Sequence, residues 1–205
     1  MPTDAKDDPE ALLTAARQGG EPAVGRLLER YRAYLSLLAR AQIGRHLRSR
    51  ADESDVVQET FLAAHRDFAS FRGTTEAEFV GWLRNIMAAR LADLVRRHVK
   101  AKARDARLEK NLAGDLERSS QALAFALAAR GPSPSQEAAR RELGVLLADA
   151  LKALPADYGE VIVLRHLEGL PFAEVAARMG RSVDSVEKLW VRALARLRRK
   201  LGDEP

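Results

Sequence analysis

Over almost its whole length this chain sets its apolar residues three and four positions apart, and no segment alternates cleanly between apolar and polar. A recurrence near 3.6 residues lines those side chains along one face of a helix, whereas a half-buried strand needs a period of two. Strong helix formers fill the positions between them. The expected fold class is therefore all-α, and the Gly and Pro residues that interrupt the pattern mark where one helix stops and the next begins.

A first helix is expected over Pro9 to Gln18, ended by Gly19 and Gly20, and a longer one from about Glu21 to Arg48 through Leu27, Leu28, Tyr31, Leu35, Leu38 and Ile43, with Gly44 a candidate bend. Asp52 to Ala69 forms a third, with Val56, Val57, Phe61, Leu62 and Phe68 as its apolar positions. The stretch Phe71-Arg72-Gly73-Thr74-Thr75 reads as a loop. A fourth helix follows from Glu76 to about Val99, carrying Phe79, Trp82, Leu83, Ile86, Leu91, Leu94 and Val95. From Lys100 to Pro134 the pattern weakens through mixed charges, Gly114, a short apolar run at Leu123 to Leu127 and Gly131-Pro132-Ser133-Pro134. That composition suits a linker with room for one short helix. Ser135 is then placed to cap a helix reaching Leu154. The expected partition is a domain over residues 1–99, a linker over 100–134 and a second domain over 135–205.

The last ~50 residues follow the grammar of a helix-turn-helix. Leu154-Pro155 opens one helix, Gly169-Leu170-Pro171 separates it from a second, and Gly180-Arg181-Ser182 separates the second from a third. Pro tolerates the first turn of a helix, Gly takes the left-handed conformation past a helix end, and Ser caps the next. On the third helix Val183, Val186, Trp190, Ala193, Leu197 and Leu201 form the expected buried stripe. Arg181, Ser185, Lys188, Arg192 and Arg196 are left facing outward, as a helix docking in a DNA groove requires.

Charge supports a polyanionic partner because it is clustered. The net charge is only +5, but Arg96, Arg97, His98, Lys100, Lys102, Arg104 and Arg107 lie close together, and Arg192, Arg196, Arg198, Arg199 and Lys200 close the chain. The absence of cysteine excludes a disulfide framework and a thiolate metal site. Residues 1–10 are too polar for a signal peptide, and no apolar run approaches the ~20 residues of a membrane span, so a cytoplasmic protein is expected. There is no Gly-rich phosphate loop and no His pair at metal spacing, and His65-Arg66-Asp67 lacks the rest of a kinase catalytic loop. No catalytic residue, metal or cofactor is expected.

The string Asp55-Val56-Val57-Gln58-Glu59-Thr60-Phe61, followed by Phe71-Arg72-Gly73 and then by Phe79, Trp82, Leu83 and Ile86, closely resembles region 2 of bacterial sigma factors. The C-terminal unit resembles their region 4. The short two-domain layout, running from Asp8-Pro9-Glu10-Ala11-Leu12-Leu13 to Leu201, is similar to the extracytoplasmic-function (ECF) class of the sigma-70 superfamily. The resemblance implies a promoter-specificity subunit that binds RNA polymerase core and recognises promoter DNA. Asp55, Val56, Gln58 and Glu59 would dock on the β′ clamp helices, with the β flap as a second core contact. Phe71, Arg72, Thr74, Thr75, Trp82 and Asn85 would recognise and melt the −10 element, which requires stacking contacts to offset unstacked bases. Phe79 and Trp82 also stand at helical spacing with Leu83 and Ile86, where rings more often pack into a core. Arg84, Arg90, Arg96 and Arg97 would hold phosphates. Arg181, Ser182, Asp184, Ser185, Lys188, Arg192 and Arg196 would meet −35 DNA.

The chain departs from the family at several positions. Glu187 and Leu189 replace residues that are commonly basic or polar, Trp190 replaces a smaller apolar residue, and Ala88-Ala89 stands where Arg-Asn is frequent. Leu189 and Leu194 are thereby candidates for contact with a partner or the other domain. The resemblance further implies control by a sequestering partner such as an anti-sigma factor, or by occlusion between the domains. The alternatives are a stand-alone helix-turn-helix regulator that does not bind core polymerase, and a helical adaptor. The first has no need of the blocks around Asp55 and Phe71, and the second has no need of a basic recognition helix.

Overall fold

The computed structural model describes residues 9–46, 52–99, 106–125 and 137–201; among these the fold is all-α, with ten helices and no strand. Helix α1 (Pro9–Gln18) ends at Gly19, and Gly20 turns the chain at a φ of 68°, a conformation that favours glycine. The expected long second helix is two helices, α2 (Glu21–Arg30) and α3 (Arg32–His46). The break falls at Tyr31, with ψ near 4°. Its ring is fully buried edge-on to Phe79 at 5.3 Å, and its hydroxyl donates to Glu76 Oε1 at 3.0 Å, so tertiary packing of one side chain overrides helical continuity.

Helix α4 (Glu53–Asp67) starts at Asp52, whose carboxylate accepts from the Ser54 N–H at 2.9 Å, and runs into a 3-10 turn at Phe68–Ser70. Helix α5 (Glu76–Val99) has the expected span. The expected linker contains a 20-residue helix, α6 (Ala106–Phe125). Leu112 and Leu116 of α6 are fully buried with Leu108 packed beside them, and Ser119 Oγ accepts from Gln42 Nε2 at 3.1 Å. The spacing of Leu108, Leu112, Leu116 and Ser119 is helical, but mixed charges and Gly114 between them diluted the signal. The apolar run at Leu123 to Leu127, the basic run beyond Arg97, the residues before Pro9, and Ser135 lie outside the described side chains.

Helix α7 (Glu137–Lys152) leads to α8 (Ala156–Ile162), which widens into a π-helical turn at Val163–Leu167. Helix α9 (Phe172–Met179) begins after Pro171, which occupies the N-cap itself. Gly180 closes α9 in the left-handed conformation at φ 63° and ψ 35°, and Ser182 caps α10 (Val183–Lys200) by accepting from the Ser185 N–H at 3.3 Å.

One continuous apolar core runs through the described residues. It starts at Leu13 and Ala16 of α1, takes in Leu27, Tyr34, Leu35, Leu38, Val57, Phe79, Leu83 and Met87, and crosses α6 and Leu147 of α7 to Val161, Val175, Ala193 and Leu197. The C-terminal helices therefore lie against the N-terminal bundle. Arg30 pairs with Asp149 at 3.7 Å and Arg40 pairs with Glu160 across the junction, beside a cavity of about 370 Å³ lined by Leu37, Glu53, Leu151 and Leu154. Burial there pushes the Glu53 carboxyl above its usual range, against the attraction of Arg40 and with the help of Asp52 and Glu160. No described helix is long and apolar enough to cross a membrane.

Candidate nucleic-acid interface

The face of α4 carrying Asp55, Gln58 and Glu59 is accessible, but Val56 is not part of it. At 3% exposure Val56 packs into the core with Val57, which corrects its assignment as a docking residue. Leu62 takes the opposite role: expected as an apolar packing position, it is 66% exposed, one turn beyond Gln58 and Glu59. Helical spacing from Gln58 was the signal that placed it there. Glu59 is engaged by Arg97 of α5, whose Nη2 lies 3.3 Å from both carboxylate oxygens.

The loop between α4 and α5 is tightly built. The Thr74 and Thr75 N–H groups donate to Glu78 Oε2 at 2.7 and 3.0 Å, while the Glu78 N–H donates to Thr75 Oγ1 at 3.2 Å, a reciprocal cap on α5. These bonds, from the Thr74 N–H first and then Thr75, hold the Glu78 carboxyl below its ordinary range. Gly73 admits no side chain, because a Cβ there would meet Phe71 Cζ at 2.5 Å and Glu78 Cβ at 2.8 Å. Arg17 of α1 donates to the Gly73 carbonyl, and Arg72 Nη1 to that of Ala69 at 2.7 Å. Arg17 was not among the expected site residues, since nothing local in α1 ties it to a loop 56 residues away.

Phe71 and Trp82 are half-buried in one aromatic cluster, their centroids 5.1 Å apart, with Phe68 and Phe79 completing it. Phe79 is fully buried and therefore core, whereas Trp82 keeps part of its surface free. Asn85 is exposed one turn along. Arg84 departs from expectation. It is 5% exposed, donates to the Tyr34 hydroxyl at 3.1 Å and pairs with Glu117 of α6 at 2.5 Å, so in this arrangement it is not open to a phosphate. Arg90 and Arg96 share Asp93, Arg90 at 3.5 Å.

On α10 the polar face is open. Arg181, Ser182, Asp184, Lys188, Arg192 and Arg196 are exposed, and Ser185 is partly so. Arg181 pairs with Asp157 of α8, Lys188 with Asp184 at 2.8 Å, and Arg192 Nε donates to the Lys188 carbonyl at 3.1 Å. The buried stripe is Val186, Leu189, Ala193 and Leu197. Leu189 thus faces the core, and Val183 is 42% exposed at the leading end of the helix, the reverse of the expected placements. Trp190 is half-buried against His166 and Phe172, its indole N–H donating to His166 Nε2 at 3.0 Å. A large ring is accommodated there because the π-helical turn and α9 both offer aromatic faces. Among the described residues no group of His, Asp or Glu is arranged to hold a metal ion.

A short inter-helix turn leading into a capped helix with an exposed basic face defines a helix-turn-helix protein of the DNA-binding class. Residues 29–101 match the family model for sigma-70 region 2, and residues 144–197 match that for sigma-70 region 4. The chain is 30% identical to the ECF RNA polymerase sigma-E factor of Haemophilus influenzae over 94% of each protein. It is 35% identical to the RNA polymerase sigma factor CnrH of Cupriavidus metallidurans over 93% of each. This chain belongs to the ECF sigma factors of the sigma-70 family. A solved structure of CnrH with the cytosolic domain of CnrY aligns over 97% of this chain and all of that one, with 29% identity and a TM-score of 0.37.

Proposed function

We propose that the chain binds bacterial RNA polymerase core in the cytoplasm and directs initiation at a specific set of promoters. The observation that carries this reading is the occurrence of region 2 and region 4 matches in order on one chain. In that reading Asp55, Gln58, Glu59 and Leu62 face the β′ clamp helices, and region 4 meets the β flap. The Phe71 to Thr75 loop with Trp82 and Asn85 takes the −10 strand. Arg90, Arg96 and Arg97 hold phosphates, and Arg181, Ser182, Asp184, Ser185, Lys188, Arg192 and Arg196 meet the −35 duplex. The functional partition is a region 2 unit within residues 1–99 and a region 4 unit within 135–205.

An anti-sigma factor is the expected regulator, by analogy with the relative whose structure was solved in complex with CnrY. A partner that separates or clasps the two units would act on the junction at Arg40 and Glu160. The test is run-off transcription from a promoter library with core polymerase, with and without this chain, together with co-elution of chain and core. Chain-dependent transcripts from a defined promoter set support the reading. Duplex binding without any association with core would replace it with a stand-alone regulator.

A further inference from the structure

Helix α6 lies along α5 on the side that carries Arg84, and the two enclose a groove of about 410 Å³ between Gly81, Trp82 and Asn85 on one wall and Ala113 and Glu117 on the other. Trp82 and Asn85 are residues proposed above to meet −10 DNA, so the groove and the DNA face share a border. Three contacts hold α6 in place: the buried Leu112 and Leu116, the hydrogen bond from Gln42 of α3 to Ser119, and the Glu117 to Arg84 ion pair on α5.

The ion pair identifies what the helix competes with. A carboxylate on a guanidinium reproduces the chemistry of a phosphate on a guanidinium, with a fork of N–H donors meeting anionic oxygens. Arg84 is 5% exposed and also bonded to Tyr34, so its charge is spent inside the protein while α6 is in place. Glu117 also brings a negative charge to the groove beside Trp82 and Asn85, where it would repel an incoming strand. We infer that α6 is an intramolecular competitor for single-stranded DNA on the α5 face, with Glu117 in the place of a backbone phosphate at Arg84.

Strand binding then selects an open state in which α6 has left α5, and apparent affinity is reduced by the fraction of molecules that are closed. The same helix contacts α7 and the π-helical turn, so its departure also loosens the C-terminal unit from the bundle. Region 4 and the −10 face would be released together. The inference rests on the assignment of the α5 face to DNA, but its test requires no polymerase.

The probe is a fluorescein-labelled, random-sequence single-stranded 12-mer, titrated with the free full-length chain. Glu117→Lys places a like charge against Arg84, while Glu109→Lys makes the same charge change at an exposed position on α6. Glu117→Lys is expected to tighten binding about tenfold more than Glu109→Lys does, the size of an ordinary coupling between sites. Equal gains would overturn the inference. Because Glu117→Lys also risks the local fold, amide hydrogen exchange of the unsubstituted chain provides a second test: the α6 amides around Leu112 and Leu116, whose side chains are fully buried, are expected to lose protection when the 12-mer is added. Protection of α6 that stays the same or rises at saturating 12-mer would equally overturn the inference. A Glu117→Lys gain in a chain that initiates no transcript with core polymerase would sink the polymerase reading and leave the competitor standing.

Discussion

Trp190 of the recognition helix donates its indole N–H to Nε2 of His166, 3.0 Å away, with the two rings stacked at 5.9 Å between centroids. The bond requires that nitrogen to be unprotonated. Burial first, and then the charge of Arg165, hold the imidazole below its ordinary value of 6.5. A histidine whose folded pKa is depressed binds fewer protons in the folded chain than in the unfolded one. Its contribution to stability is therefore complete above about 6.5 and is lost as pH falls below that value. The urea midpoint followed by tryptophan emission is expected to drop between about pH 7 and about pH 5.5. His166→Leu should flatten the slope, and an unchanged slope would assign it to other groups.

Glu59 and Arg97 face each other although they are proposed for different partners. Both are partly exposed, so the pair itself is expected to contribute under about 1 kcal/mol. Glu59→Arg should abolish co-elution with core polymerase. Arg97→Glu should leave co-elution largely intact and lower the dependence of log affinity for DNA on log salt by about one unit. Equal loss of core binding in both variants would refute the division of roles.

Leu62 and Val56 occupy the same helix with opposite exposures. Leu62→Ala should change stability by no more than about 0.5 kcal/mol while weakening core association. Val56→Asp places a charge in the core and should prevent folding, detectable as lost helical circular dichroism. A folded Val56→Asp chain that fails to bind core would return Val56 to the docking face.

The loop after α4 depends on Gly73 and on the Thr75 cap. Gly73→Ala should retain core binding but lose promoter melting, read by permanganate reactivity of −10 thymines. Thr75→Ala should cost about 1 kcal/mol of stability through the lost cap. Melting that survives Gly73→Ala would show that the loop conformation described above is not the one used on DNA.

Arg181, in the turn before α10, and Arg192, along the helix, should separate by function. Arg181→Ala, at the leading end, is expected to change which −35 sequences are selected from a duplex library, at about 1–3 kcal/mol for the base concerned. Arg192→Ala should weaken all duplexes alike. A uniform effect from Arg181→Ala would place it on the phosphate backbone.

Helix identity, the helix-turn-helix and the order of the region 2 and region 4 units were legible from residue order, because a period of 3.6, a left-handed Gly180 and a capping Ser182 are local features that do not depend on what packs against them. The aromatic cluster around Phe71 was partly legible for the same reason. The break at Tyr31, the burial of Val56, Leu189 and Arg84, the exposure of Leu62 and the conversion of a linker into the packed helix α6 were not. Each depends on a partner far away in the chain, such as Glu76 for Tyr31 or Glu117 for Arg84. A helical stripe says that one face is apolar, but its rim positions go to solvent or core according to where the neighbouring helices cross. That crossing is settled by long-range packing, and so is the choice between presenting Arg84 to DNA and pairing it with the chain's own carboxylate.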